Sequence, residues 1–314
     1  MEQYPLPPRM TAASKWKQLA RMAAKKYVRG QIMSNEMMRA EIWLQDNLAS
    51  QQGIEDLAIR LGYSTSQVRR KFKQCFGLSP SAYRDMLRLE MAARLLAFTP
   101  YRIHTIASRC GYRNHSAFSR AFHRRHLLTP RQYRQTQHQK LRECSYRDAH
   151  GGDPPPIDIR KMPPRQALVT RLYGLGHLND LHDLQEWTAS TRQANTLPDR
   201  LKQAPVVAVI HGIPLPSQMQ RVDIGPLVDD QVAATVAIPA AFRLLELPAQ
   251  HYACVVVKSL NEVPSTMEYV ISHELPRYEC HASGEAVQLH CHPRGMELQL
   301  PLLDVEWNGP GGQD

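Results

Sequence analysis

Residues 54–84 read IEDLAIRLGYSTSQVRRKFKQCFGLSPSAYR, and residues 104–134 read HTIASRCGYRNHSAFSRAFHRRHLLTPRQYR. These are two versions of one pattern. Ala58 matches Ala107 and Gly62-Tyr63 matches Gly111-Tyr112 at an offset of 49; Arg70 matches Arg120, Phe72 matches Phe122, Pro80 matches Pro130 and Tyr83 matches Tyr133 at an offset of 50. Self-similarity at this period signals a duplicated supersecondary unit. Each copy reads as helix, glycine-containing turn, helix. Tandem helix-turn-helix units rich in arginine point to double-stranded DNA as the partner.

Within the first copy, Ile54 to Leu61 forms a packing helix with Glu55 and Asp56 at its positive end. Gly62 permits the tight turn. The second helix is expected over residues 64–75, with Val68, Phe72 and Cys75/Phe76 facing inward. Its other face carries Ser66, Arg69, Arg70 and Lys73, which lie three, four and seven residues apart along one stripe. Arginine presents two parallel donors to guanine O6 and N7, so Arg69 and Arg70 are the expected base readers, with Lys71 and Lys73 on phosphate. In the second copy Asn114 is the expected N-cap and Phe118 and Phe122 point inward. His115, Ser116, Ser119 and Arg120 point outward there, followed by Arg124, Arg125 and Arg131. Between the copies, residues 81–98 read as one helix that would hold two reading helices about 34 Å apart, the separation of successive major grooves on one face of B-DNA. A monomer is then expected to read two half-sites.

Charge divides the chain in the same place. Residues 35–142 hold 19 Lys and Arg against 7 Asp and Glu, whereas residues 143–314 hold 13 against 21. A solvated surface can also look basic, but here the positive excess falls on the repeat. It suits a polyanion, because lysine and arginine release condensed counterions from phosphate. No apolar run approaches the ~20 residues needed to span a bilayer, and the basic N-terminus lacks the apolar core of a secretory signal. The six cysteines (Cys75, Cys110, Cys144, Cys254, Cys280 and Cys291) include no C-x-x-C pair. A cytoplasmic, nucleoid-associated protein is the expectation.

The residues Ile54-Glu55-Asp56-Leu57-Ala58, Leu61-Gly62-Tyr63-Ser64, Val68-Arg69-Arg70-Lys71-Phe72-Lys73, Gly77-Leu78-Ser79-Pro80, Phe118-Ser119-Arg120-Ala121-Phe122 and Thr129-Pro130-Arg131-Gln132-Tyr133-Arg134 resemble the DNA-binding domain of the AraC/XylS family of bacterial transcription regulators. The resemblance covers residues 37–135. It implies base contacts from Ser66, Arg69, Arg70, His115, Ser116 and Arg120, with Ser66 where some relatives carry tryptophan. Phosphate contacts from Lys73 and Arg124 complete the expected DNA-binding set. It also implies RNA polymerase as a partner and a role as an activator.

Gly151-Gly152-Asp153-Pro154-Pro155-Pro156 marks a boundary that neither helix nor sheet crosses, and it predicts loosely coupled halves. Beyond it, period-two patterning predicts strands at 157–159, 167–169, 206–210, 242–247, 252–257, 287–291 and 297–300, with helices over 177–192 and 263–274. Ile157-Asp158-Ile159-Arg160-Lys161-Met162-Pro163 is echoed by Phe242-Arg243-Leu244-Leu245-Glu246-Leu247-Pro248. Roughly 155–306 resembles the gyrase-inhibitor-like small-molecule-binding domain, a duplicated β-α-β-β unit with a cleft at its pseudo-twofold. The order of the two regions matches the Rob-like branch of the AraC/XylS family. That domain commonly carries an acid in the strand matching residues 286–289, where this chain has Val287 and Gln288, so either the ligand is neutral or of another kind, or Glu274 or Glu285 serves instead. A small hydrophobic ligand is expected between the halves, lined by Trp187, Tyr252, Tyr269 and Glu274.

The expected organisation is thus multidomain. A basic extension (1–35) precedes an all-α double helix-turn-helix domain (36–140). A linker (141–156) leads to an α+β effector domain of duplicated β-α-β-β units (157–306), and a flexible tail (307–314) follows. A regulator modulated at its C-terminal domain, and not an enzyme, is the leading reading. The alternative is a C-terminal domain that hydrolyses a reactive small molecule through Glu274, Tyr252 and Tyr269. Cys280-His281 and His290-Cys291-His292 invite a zinc site, but in a strand Cys291 points away from both neighbours. No metal and no cofactor is expected.

Overall fold

The computed structural model describes residues 35–50, 52–143, 146, 154–173, 201, 204–212, 221–229, 233, 237–239, 242–292 and 295–303. Residues 1–34 of the expected N-terminal extension, the 177–192 helix with Trp187, residues 151–153 of the Gly-Pro boundary and the tail lie outside these residues. Helix α1 (Asn35–Asp46) leads into the first unit, α2 (Ile54–Leu61) and α3 (Thr65–Phe76). The continuous α4 (Pro80–Phe98) joins it to the second unit, α5 (Ile103–Arg109) and α6 (His115–His126), which α7 (Pro130–Arg142) follows.

The local chemistry of the helix ends repeats with the sequence. Ser64 Oγ accepts from the Gln67 amide, and Gln67 Oε1 accepts from the Ser64 amide, closing a capping box on α3. Asn114 Oδ1 caps α6 through the Ser116 and Ala117 amides. Ser79-Pro80 and Thr129-Pro130 each place a hydroxyl cap before a proline that opens the helix. Gly62 and Gly111 turn the chain at φ 70° and 78°, the left-handed region that glycine enters without cost.

Each unit closes on an aromatic triangle. Tyr83 lies 5.3 Å from Phe72 and 5.2 Å from Phe76; Tyr133 lies 5.2 Å from both Phe122 and His126. The two cores divide along α4. Tyr83, Met86 and Leu87 belong to the first core, and Leu89, Ala92, Ala93, Leu95 and Leu96 to the second.

The other region is one antiparallel sheet. Its strands are β1 (Ile157–Met162), β2 (Arg165–Tyr173), β3 (Val206–His211), β4 (Arg221–Val228), β5 (Arg243–Leu247), β6 (Gln250–Val257), β7 (Val287–His292) and β8 (Gly295–Pro301), in the order β1-β6-β8-β7-β3-β4-β2-β5. Helix α8 (Val263–Tyr269) follows β6 and widens into a π turn over Val270–Glu274. The sequence pattern does not predict strand β4, because Gly225-Pro226 looks like a break. In the sheet, register with β2 lapses opposite those two residues. A Cβ at Gly225 would lie 1.9 Å from the Leu168 carbonyl oxygen, so only glycine passes.

Alternation gives the sheet two different faces. One carries Ala208, Ile210, Val222, Ile224, Ala253, Val255, Leu289 and Leu298, packed with Val263, Met267 and Val270 and with Ala97 and Phe98 of α4. The other carries Tyr252, Gln288, His290 and Gln299 at one end, Ala167, Val169, Val207 and Val209 in the middle, and Arg171, Asp223 and His211 at the far end.

The two regions are not loosely coupled, contrary to what the Gly-Pro boundary predicts. Arg171 Nη1 donates to Glu41 Oε2 of α1 at 2.7 Å, and Arg221 Nη2 donates to Glu90 Oε2 of α4 at 2.8 Å. Tyr173 donates to Glu41 at 3.1 Å and packs its ring 5.7 Å from Phe76. Arg94 donates to the Gly284 carbonyl at 3.0 Å. A linker's composition governs only the linker; buried partners on either side of it decide the coupling.

Candidate nucleic-acid interface and the polar sheet face

Each unit presents its second helix the same way. Val68 and Phe72 of α3, and Phe118 and Phe122 of α6, are fully buried and fix the rotation of their helices. The opposite stripe of α3 is then solvent-facing: Ser66, Arg69, Arg70 and Lys73 are all exposed. On α6, His115, Ser116, Arg120 and Arg124 are exposed as well. Two neighbours fall elsewhere. Lys71, expected on phosphate, donates to Tyr63 Oη at 2.8 Å, and that hydroxyl donates to Glu36 at 2.7 Å. Arg125, expected to point outward, is half-buried, and Glu90 is among the charges acting on it.

The expected ligand lining is not gathered in one place. Tyr252 is buried on the polar sheet face, where its hydroxyl accepts from Gln288 Nε2 at 2.7 Å and its ring lies beneath the Arg165 guanidinium, 5.8 Å away. Tyr269 and Glu274 belong to α8 and its π turn, which cover the opposite, apolar face. There Tyr269 Oη donates to Glu274 Oε1 at 2.6 Å, Arg277 donates to the same oxygen, and the Tyr269 ring meets Tyr146. Strand parity separates Tyr252 from this pair, so the three do not form one site, for a ligand or for hydrolysis. Trp187 lies outside the described residues.

What the polar face does gather is a different set. Arg165 donates to Gln288 and Gln299 at 3.2 and 3.4 Å, His290 meets Gln288 at 3.2 Å, and Gln299 donates to Glu297 at 2.7 Å, while Arg160 pairs with Glu297. Gln288 and Gln299, side by side in register, are nearly fully buried. Burying amides costs free energy unless they are hydrogen-bonded, and here they are. Among the described residues no group of three or more His, Cys, Asp and Glu side chains is placed to hold a metal, and no helix there is long and apolar enough to cross a membrane.

At the domain junction, charge is buried but balanced. Burial raises the Glu41 carboxyl, yet Arg171 and Arg221 outweigh it and hold it below the usual carboxylate value. Asp223 is likewise opposed by burial, and is held well below that value by Arg171 and His211. It accepts from Arg171 at 2.9 and 2.6 Å, from His211 at 2.8 Å and from Arg243 at 2.8 Å. Burial pushes the His211 imidazole down to about 4, against its hydrogen bond to Asp223. The neutral ring gives its Nε2 proton to Asp223 and leaves Nδ1 to accept from Gln45 at 3.4 Å. Sequence reasoning missed this cluster. A signal was present, since Glu41 interrupts the apolar stripe of Met37, Ala40 and Leu44 on α1.

The family match falls on the helical region. A family model described as "Helix-turn-helix domain" matches residues 57–136. The chain is 35% identical over 99 residues to an HTH-type transcriptional activator RhaS of Enterobacter sp. (strain 638), covering 32% of this chain and 36% of that protein. The chain thus spans about a third of the length of that curated relative. Among solved structures it is similar to the C-terminal domain of AraT, a response regulator from Geobacillus stearothermophilus, at 34% identity over 34% of this chain and 88% of that one, TM-score 0.33. It is also similar to the DNA-binding domain of AdpA, a global transcriptional factor solved in complex with a target DNA, at 27% identity over 38% of this chain and all of that one, TM-score 0.32. The helical region, through its paired helix-turn-helix units, is thus similar to the DNA-binding domain of AraC/XylS-type transcription regulators.

Proposed function

We propose that this chain is a sequence-specific DNA-binding transcription regulator that reads two successive major grooves, inserting α3 and α6 as a monomer. The observation that carries the reading is the equivalent display of Arg70 and Arg120, each exposed on the second helix of its unit with a buried phenylalanine two residues on. Ser66, Arg69, His115 and Ser116 complete the base-reading set, and Lys73 and Arg124 take phosphate. The relatives named as transcriptional activators favour activation, with RNA polymerase as the protein partner. Selection of bound duplexes from a random pool by the full chain should return two half-sites about one helical turn apart. A pool with no preferred sequence would instead make the chain an architectural DNA binder.

The C-terminal region, within 157–306, is the proposed site of modulation by a small molecule or partner. The strand order supports a duplicated unit: exchanging β1 with β5, β2 with β6, β3 with β7 and β4 with β8 returns the same order reversed. Recognition is best placed on the polar face around Tyr252, Gln288, Gln299 and Arg165. These groups place hydrogen-bonding side chains and an aromatic ring beside the buried apolar side chains of Val207 and Val209, a mixture typical of small-molecule sites. Titrating hydrophobic amphiphiles while following tryptophan emission tests this; binding that survives replacement of Tyr252 and Gln288 together would move the site elsewhere.

A further inference from the structure

Glu41 and Glu90 are acids of different reading units. Glu41 lies within α1, and its Oε1 accepts from Tyr83 at 3.0 Å, beneath the aromatic triangle that carries α3. Glu90 follows Leu89 on the second-unit side of the division in α4. Arg221, 2% exposed, reaches both: its Nη2 is 2.8 Å from Glu90 and its Nε 3.8 Å from Glu41 Oε1. Arg171 holds Glu41 from the other side and is itself held by two bonds to Asp223.

A purely apolar junction would tolerate sliding, since hydrophobic attraction is non-directional. Hydrogen-bonded guanidinium–carboxylate pairs, here Arg221–Glu90 and Arg171–Glu41, are directional. They also cost desolvation, so their best-attested use is to fix a register and not to add stability. We propose that the sheet domain is the brace that sets the relative orientation of the two reading units, with Arg221 as the cross-tie and Arg171 as the anchor on the first unit. The brace is contiguous with the polar sheet face. Gln288, Val209 and Asp223 are direct register neighbours across β7, β3 and β4, so a molecule seated over Gln288 and Val209 lies one strand from the carboxylate that holds Arg171. Loosening the brace therefore changes the spacing between half-sites that the chain accepts, and leaves the bases read within each half-site unchanged. This rests on the reading of α3 and α6 as DNA-reading helices.

The test uses the full chain. Spin labels on noncanonical residues at Ile59 and His104, exposed positions on the first helices of the two units, report the distance between units without DNA. The parent should give one narrow distribution. Arg221→Met should broaden it, and Glu90→Gln, a milder change at a less enclosed position, should do so even if Arg221→Met folds poorly. In duplex selection the same variants should accept half-sites one base pair closer or further apart, with unchanged bases in each. Either readout unchanged in a variant that melts cooperatively overturns the proposal. A parent with no sequence preference would overturn the DNA reading alone, and the distance distribution would then decide the brace.

Discussion

Arg171 and Glu41 form an ion pair of 2.7 Å in which neither side chain is exposed to solvent, although 130 residues separate them in sequence. The pair joins the sheet to the first helix of the DNA-reading region. Breaking a buried pair by removing one partner leaves an uncompensated charge in a dry site, which costs about 3–5 kcal/mol. Arg171→Met takes from Glu41 its closest cation and leaves Asp223 with Arg243 and His211, so it should lower the unfolding free energy of the full chain by about that amount in urea denaturation. A loss below ~1 kcal/mol, the range of an exposed pair, would mean that water reaches the junction.

The junction also predicts a pH dependence. Unfolded histidine titrates near 6.5, whereas folded His211 and His126 titrate at about 4, both held down first by burial. Between those values the unfolded chain binds more protons. Stability is therefore fully present above pH 6.5 and is lost as the pH falls toward 4. Glu41 and Asp223, held low by their arginines, contribute stability that is present above the ordinary carboxylate values and is lost as the pH falls through their lowered folded ones. Melting temperatures measured from pH 7 to 4 should fall, and His211→Gln should flatten part of the slope. A level profile would show that the His211 ring is solvated.

Much of the helical region was legible because its signals are local. Caps, turn glycines and a 3.6-residue apolar stripe are written within a few residues of where they act, and duplication states them twice. The strand pattern was legible for the same reason, except at β4, where Gly225-Pro226 has the composition of a break but the packing of a strand against Leu168. The split between Tyr252 and Glu274 was not legible, because parity in β6 and the side of the sheet that α8 covers are set by long-range packing. The Arg171–Glu41 junction was half visible. A charged residue on a buried stripe announces a partner without naming it.

The duplication itself yields a stability prediction. Gly77 ends α3 at φ 75°, and its repeat counterpart Leu127 ends α6 at φ 60°. A left-handed backbone costs a residue with a Cβ roughly 1–2 kcal/mol. Leu127 is 70% exposed, so shortening it forfeits little burial. After the added flexibility of the unfolded chain is counted, Leu127→Gly should stabilise the protein by about 1 kcal/mol. A lower midpoint in chemical denaturation would show that the leucine side chain contributes packing that its exposure hides.

Lys73 and Arg124 sit at the far ends of their exposed stripes, beyond the residues expected on bases. Contact with phosphate carries no sequence information. Lys73→Gln or Arg124→Gln should weaken binding to all duplexes alike and reduce the slope of log affinity against log salt by about one for each phosphate no longer neutralised. Weakening confined to one sequence would make them base readers.

Arg70 and Arg120 should behave differently. Each is exposed, and each is fixed in direction by a buried aromatic anchor, Phe72 or Phe122. A guanidinium that donates twice to one guanine contributes about 1–3 kcal/mol of discrimination against the wrong base. Arg70→Ala should therefore cost about that much at the preferred site and relax base preference in one half-site only; Arg120→Ala should do the same in the other. The salt slope should change little, which separates these variants from those at Lys73 and Arg124. Competition binding against duplexes substituted one base pair at a time reads both effects. If the two variants relax the same half-site, α3 and α6 do not occupy successive grooves. If neither relaxes any position, the arginines serve the backbone and sequence is read by other residues of the two stripes.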